Sequence, residues 1–200
     1  MNNEAVAQLA PLSDLFAEAL DTTKPASVAI LGVAGGNGLD RIDPNITHRV
    51  DAIDINPEYL ASVQQRHATL KGLELHCLDL AEEHATLPPS DLVHAALIFE
   101  HAGLDHCLDN AIDLVAQGGT LSVVLQLPST TAPAVGNSQV ASVQAHRNHF
   151  HFVDTEAFTN QLESRGFHRV NATTRPLPAG DVYKRQQPDV AGHAPFMVHV

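Results

Sequence analysis

Four stretches of this chain carry residues whose types and spacing suit the handling of a polar ligand. Residues 27–40, SVAILGVAGGNGLD, run a short apolar segment into Gly32, Gly35, Gly36 and Gly38. Glycines in such a turn let a ligand approach bare backbone and permit positive φ. Asp54 follows 22 residues after Gly32 and 16 after Gly38, a spacing at which a carboxylate can accept both hydroxyls of a ribose. It could instead cap the helix that follows, although Asn56 is already a good cap. Asp79, next to last in LHCLDL, could accept from a base amino group or cap residues 80–86. Glu100 and His101 end a fourth apolar stretch, where a general base would stand, or else they flank the next helix. Farther on, AHRNHFHF gathers His146, His149 and His151 around Phe150 and Phe152. These could line a second pocket. Their H-x-x-H-x-H spacing has no cysteine nearby, and no metal site is expected.

These groups need elements to position them. Helical spacing of Val6, Leu9, Leu12, Phe16 and Leu20 predicts an N-terminal helical segment over residues 1–24, divided at Pro11. Strands are expected at 27–31, 49–55, 73–78, 91–99 and 120–127. Between them fall a short helix from Leu39, a helix opened by Asn56-Pro57, a short helix before Pro88, and one from Leu104 to Val115. Strand and helix thus alternate from 27 to 127, which predicts an α/β fold with a parallel sheet covered on both faces. In such sheets ligands bind beyond the carboxyl ends of the strands, where the glycine turn, Asp54, Asp79 and Glu100-His101 all fall. Residues 128–153 break the rhythm as a loop or lid insertion. A helix capped by Asp154 or Thr155 and two closing strands, 167–174 and 195–200, complete a single domain.

Composition narrows the function. The chain has 200 residues, a formal net charge of −12, 13 histidines and two cysteines. Such acidity argues against phosphate backbones and anionic membranes as partners. Cys77 and Cys107 form no disulfide framework, which suits a reducing cytosol, so a cytoplasmic location is expected. No run is long enough to span a bilayer, and no signal peptide is evident. The G-x-G-x-x-G fingerprint and the P-loop pattern are both absent. A ligand with a ribose and a base but no phosphates therefore fits the glycine turn best.

Taken in order, ILGVAGGNGL, DAIDINPEYL, LHCLDL, DLVHAALIFEH and GGTLSVVLQLPS resemble the successive motifs of class I S-adenosylmethionine-dependent methyltransferases. The likeness spans residues 27–127 and more loosely FVDTEAFTNQLESRGFHRV. It implies a Rossmann-like sheet of seven strands, mostly parallel, with the last strand antiparallel beside the fifth. It implies S-adenosyl-L-methionine as cofactor. The methionine part would lie on Gly32, Val33, Ala34, Gly36 and Gly38, the ribose on Asp54 with Ile55, and the adenine on Asp79 and Leu80, with Phe99 completing the wall. Two departures stand out: the family's G-x-G-x-G falls on Ala34, Gly36 and Gly38, and the acid that commonly precedes it falls on Gly32.

Methyl transfer to a small-molecule acceptor is therefore the expected activity, with Glu100 and His101 as catalytic candidates and His146, His149, Phe150 and His151 as substrate-binding candidates. A protein methyltransferase and a non-catalytic cofactor-binding module are the alternatives; a nicotinamide oxidoreductase is disfavoured by the missing fingerprint. DVYKRQ at residues 181–186 coincides with the translation of a common sequencing-library adapter, which makes 181–192 a stretch suspected of being foreign to the natural chain.

Overall fold

The computed structural model describes residues 4–127, 150–173 and 194–199. Elements run α1 (Glu4–Thr23), β1 (Ser27–Leu31), a 3-10 turn (Leu39–Arg41), β2 (Arg49–Asp54), α2 (Pro57–Arg66), β3 (Leu73–Cys77) and β4 (Ser90–Ala96). Then follow α3 (Phe99–Ala102), α4 (Asp105–Asp113), β5 (Val115–Val124), α5 (Thr155–Ser164), β6 (Phe167–Thr173) and β7 (Ala194–His199). The strands are ordered β3-β2-β1-β4-β5-β7-β6, and β1 to β5 form a parallel sheet. Alternate side chains of each central strand enter opposite cores, as the two-residue period of a strand demands. Ala29, Leu31, Ile53, Val93 and Leu121 pack with Cys107 and Leu108 of α4 and Phe158 and Leu162 of α5. Val28, Ile30, Val50 and Leu92 pack with Phe16 of α1, Leu39 and Leu60 and Val63 of α2.

Several boundaries differ from the sequence reading. α1 is continuous through Pro11, and beside that disrupted turn Asn37 Nδ2 donates to the Leu9 carbonyl (2.8 Å). β4 stops at Ala96, because Leu97 turns into the left-handed region (φ 56°) and Phe99 enters α3. β5 begins at Val115, before the glycine pair, and accommodates it with a register shift opposite Ser90 and Leu92. No helix forms between β3 and β4. Instead, buried Asn110 of α4 accepts from Ala85 N (2.8 Å) and donates to the Leu80 and Glu83 carbonyls (3.0 and 2.8 Å), so a side chain satisfies backbone groups that a helix would have paired.

The expected antiparallel last strand is also corrected. β7 pairs in parallel register with both β5 and β6. Two adjacent parallel strands need a crossover of about a dozen residues or more, and residues 174–193 supply that length where a tight reversal would have needed only a few.

Candidate cofactor and acceptor site

The strand order reverses between β1 and β4: the chain proceeds from β1 to β2 and β3 on one side, then returns to β4 on the other. A crevice at the carboxyl ends is expected at that switch point. The backbone there is distinctive. Ala34 after β1 and Leu97 after β4 both adopt positive φ, 45° and 56°, a conformation that costs a non-glycine residue about 1–2 kcal/mol. Gly32, Gly36 and Gly38 have φ of 72°, 77° and 89°. The residue standing where the resembling family has its first glycine is thus a strained alanine in the glycine conformation.

Asp54 fixes that turn from β2. It is 8% exposed; its Oδ2 accepts from Ala34 N (2.8 Å) and its Oδ1 from Asn56 N (2.8 Å). Helix capping falls to Asn56, whose Oδ1 accepts from Glu58 N. Asp54 is therefore a tether between the turn and β2, with lone pairs remaining on both oxygens. Ile55, the next residue, is 50% exposed and offers an uncovered apolar face beside it. Asp79 follows β3, and its Oδ1 accepts from Ala81 N while its own N–H donates to Glu83 Oε1; it caps a single turn. Leu80 and Val33 are core side chains.

Two contacts from α2 and its C-cap, carried by no motif, complete the turn. Arg66 Nη1 donates to the Gly35 carbonyl, and a Cβ at Gly36 would stand 3.0 Å from His67 Nε2. At Gly32 a Cβ would meet Ile98 Cδ1 at 2.9 Å. Leu97 and Ile98 fall inside the DLVHAALIFEH stretch but bear no polar group that singles them out, and Arg66 and His67 lie in none of the quoted motifs; only their places just after β4 and at the end of α2 could have drawn attention to them.

At the end of β4 two expectations change. Phe99 is 1% exposed and packs on Phe158, with ring centroids 5.4 Å apart, so its ring belongs to the core and does not line the crevice. Glu100 is fully buried; its Oε1 accepts from Gln126 N (2.7 Å) at the end of β5 and its carbonyl accepts from His151 N (2.9 Å). Burial pushes its carboxyl from 4.5 up to about 7, although the Gln126 N–H pulls the other way. A carboxyl so enclosed is held by the end of β5 through Oε1, while its Oε2 has no hydrogen-bond partner among the described residues. His101 is exposed; its ring lies 5.2 Å from that of Phe150, edge-on, and Phe150 meets Phe152 in the same manner at 5.3 Å. The structure thus brings His101, Phe150, His151 and Phe152 together. His146 and His149 lie outside the described residues.

His94 is a core histidine, with Nδ1 3.1 Å from Ser122 Oγ and its ring against Phe16. Burial pushes the Cys107 thiol up to about 12, helped by the Asp79 charge, so it is inert at neutral pH. Among the described residues, Asp51, Glu74 and His76 converge on the β2–β3 sheet. Arg49 Nε and His76 Nε2 already hold the two Asp51 oxygens at 3.0 and 2.9 Å, so the group reads as an internal ion-pair network.

No protein-family model matches the chain, and no curated protein matches it. Among solved structures it is similar to the N-methyltransferase NodS from Bradyrhizobium japonicum WM9, with a TM-score of 0.58 and 16% identity over 90% of this chain and 93% of that one. It is also similar to the (4+2)-cyclase SpnF, with a TM-score of 0.60 and 16% identity over 86% of this chain and 61% of that one. Together with the strand order and the glycine turn, these likenesses show that the chain has the fold of the class I S-adenosylmethionine-dependent methyltransferases.

Proposed function

We propose that this chain binds S-adenosyl-L-methionine at the carboxyl ends of β1, β2 and β3 and catalyses methyl transfer to a small-molecule acceptor. The observation that carries the reading is Asp54, a buried carboxylate fastened to the strained Ala34 N–H, which sets an acceptor of ribose hydroxyls against bare backbone. Ile55 offers the adenine an apolar face, and Asp79 stands at the next strand end. The fold-mate NodS has been crystallised with S-adenosyl-L-homocysteine. When bound, the sulfonium supplies an activated methyl group, so the protein's task is chiefly alignment. We assign removal of a proton from an acceptor to His101, a reading supported by its exposure and by the aromatic rings of Phe150 and Phe152 beside it. Glu100 acts as a positioning residue that ties β4 to β5 and to His151. The net charge of −12 favours a small molecule over nucleic acid.

A second reading has its own support: a cofactor-binding domain whose chemistry is not methyl transfer. SpnF is a cyclase of this fold, and the carboxylate nearest the acceptor side is enclosed. Calorimetric titration with S-adenosyl-L-methionine and S-adenosyl-L-homocysteine, beside Asp54→Ala, tests the site. Saturable binding that the variant weakens by about tenfold or more is expected. No binding at about millimolar ligand removes the proposal. Incubation of the binding-competent protein with methyl-labelled cofactor and a small-molecule extract then separates transfer from binding alone, and label on macromolecules points to a protein acceptor.

A further inference from the structure

We infer that the carboxyl end of α2 holds the middle of the glycine turn, and that Arg66 and His67 are positioning residues for the site read above as an S-adenosylmethionine site, setting the turn before the ligand arrives. Three elements hold the turn in succession. The end of β2 takes its first part: Gly32 N and Val33 N donate to the Ile53 carbonyl (2.9 and 3.0 Å), and Ala34 N donates to Asp54. α2 takes the middle. Arg66 Nη1 donates to the Gly35 carbonyl, and a Cβ built at Gly36 would stand 3.0 Å from His67 Nε2 and 3.1 Å from Val63 Cγ2. α1 takes the last part, where Asn37 Nδ2 donates to the Leu9 carbonyl (2.8 Å) and a Cβ at Gly38 would stand 3.0 Å from Phe16 Cδ1.

Helix geometry suits α2 to this task. Val63 and His67 are four residues apart and share one face, and Gly36 lies against that face with no room for a side chain. His67 Nε2 is buried without a hydrogen-bond partner, so the ring acts on Gly36 by contact. The turn needs such holding from outside, because it leads into only three residues of 3-10 helix, too few to fix it by a helical ladder. The bond that closes it internally, Gly36 N to the Val33 carbonyl (2.9 Å), sits beside the Arg66 contact. α2 also starts at the same site: Asp54 Oδ1 accepts from Asn56 N (2.8 Å), and Asn56 caps the helix. One helix of ten residues therefore joins the carboxylate assigned to the ribose, at its start, to the turn, at its end. A turn already set costs a ligand no ordering; a turn released makes the ligand supply it. Arg66 is exposed, so its removal frees the turn without opening the core.

The test is calorimetric titration of the full chain, Arg66→Ala and Arg66→Lys with S-adenosyl-L-homocysteine, beside amide exchange at Gly36 read by NMR in the free proteins. Arg66→Ala is expected to weaken binding by about threefold to tenfold, the worth of one charge-assisted bond at a partly exposed place. It should also speed exchange of the Gly36 amide, while the α2 amides keep their rates and the urea midpoint changes little. Arg66→Lys keeps a charged donor and should lie closer to the wild type than to Arg66→Ala on both readouts. His67→Ala, read in the same way, is expected to speed Gly36 exchange and weaken the ligand; no change in either would overturn its part. Arg66→Ala binding within about twofold of the wild type overturns the inference and leaves the proposed function standing. Weaker binding with unchanged Gly36 exchange also overturns it, since Arg66 would then act on the ligand and not on the turn. No binding by the wild type at about millimolar ligand removes both.

Discussion

Ala34 and Glu100 each hold a conformation or a burial that ordinary side chains avoid, and each leaves a measurable trace. Ala34 sits exposed at φ 45°. Ala34→Gly removes the Cβ conflict of that region, partly offset by the greater entropy of glycine in the unfolded chain, and should stabilise the protein by about 0.5–1 kcal/mol. A rise in the urea midpoint at constant slope would show it; an unchanged or lower midpoint would mean that the turn bears no such strain. Glu100 is more stable protonated when folded, with its carboxyl raised from 4.5 to about 7 by burial. Its contribution is thus fully present below pH 4.5 and is lost as pH rises towards 7. The loss amounts to about 3 kcal/mol, on the scale of 1.36 kcal/mol per pH unit. Glu100→Gln keeps an acceptor for Gln126 N and removes the titration, so urea unfolding at pH 5 and 8 should show a decline in the wild type that is absent from the variant. Equal declines would refute this role for Glu100. Residue types alone pointed to Asp54, Asp79 and His101, because carboxylates and imidazoles at strand ends are visible as pattern. They could not reveal that Glu100 and Phe99 are enclosed, since the early end of β4 at Leu97 turns those two residues inward.

At the scale of elements, the segment between β3 and β4 shows how one side chain can replace a helix. Asn110 lies on α4, yet it binds three backbone groups of residues 80–85, and Asp79 and Glu83 close the turn from within. Asn110→Ala leaves those groups unpaired in a buried place and should cost about 2–4 kcal/mol. The same change should weaken S-adenosyl-L-homocysteine binding through the displaced Asp79, which calorimetry on the folded variant would detect. A stability loss below about 1 kcal/mol would mean that water or the loop itself replaces the asparagine. Helices with strong local signals were legible: Asn56-Pro57 opens α2, and Asp154 caps α5 through Glu156 N and Ala157 N. The segment after Asp79 was not, because its conformation is decided by a residue some 25 positions away and local propensity carries no trace of it. The same holds for α1, where packing of Phe16 and the Asn37 bond to Leu9 outweigh the break expected at Pro11.

For the whole molecule, the alternation of apolar and helical patterns up to residue 127 was enough to foresee the parallel sheet of β1 to β5, although the connections β1–β2 and β3–β4 carry no α-helix. The direction of β7 was beyond such reasoning: it depends on how the chain returns from β6, and the connection contains the suspect adapter-like stretch 181–192. This makes the topology testable through length alone. With 181–192 removed, only 174–180 and 193 remain between Thr173 and Ala194, fewer than the roughly dozen residues a parallel crossover requires. β7 should then re-pair in the opposite direction. In the present register Val124 faces His199 and Leu121 faces Phe196; reversal about the same centre would set Leu121 opposite His199. In a Cys77→Ser background, the pair Val124→Cys and His199→Cys should form a disulfide in the full chain, since adjacent strand partners lie within the Cα range of about 4.4–6.8 Å that a disulfide spans. In the shortened chain the productive pair should become Leu121→Cys with His199→Cys. A crosslink at Val124 and His199 in both chains would show that strand direction is set by the packing of β7 between β5 and β6 and not by its connection, and the parallel arrangement would then belong to the fold whatever the origin of residues 181–192.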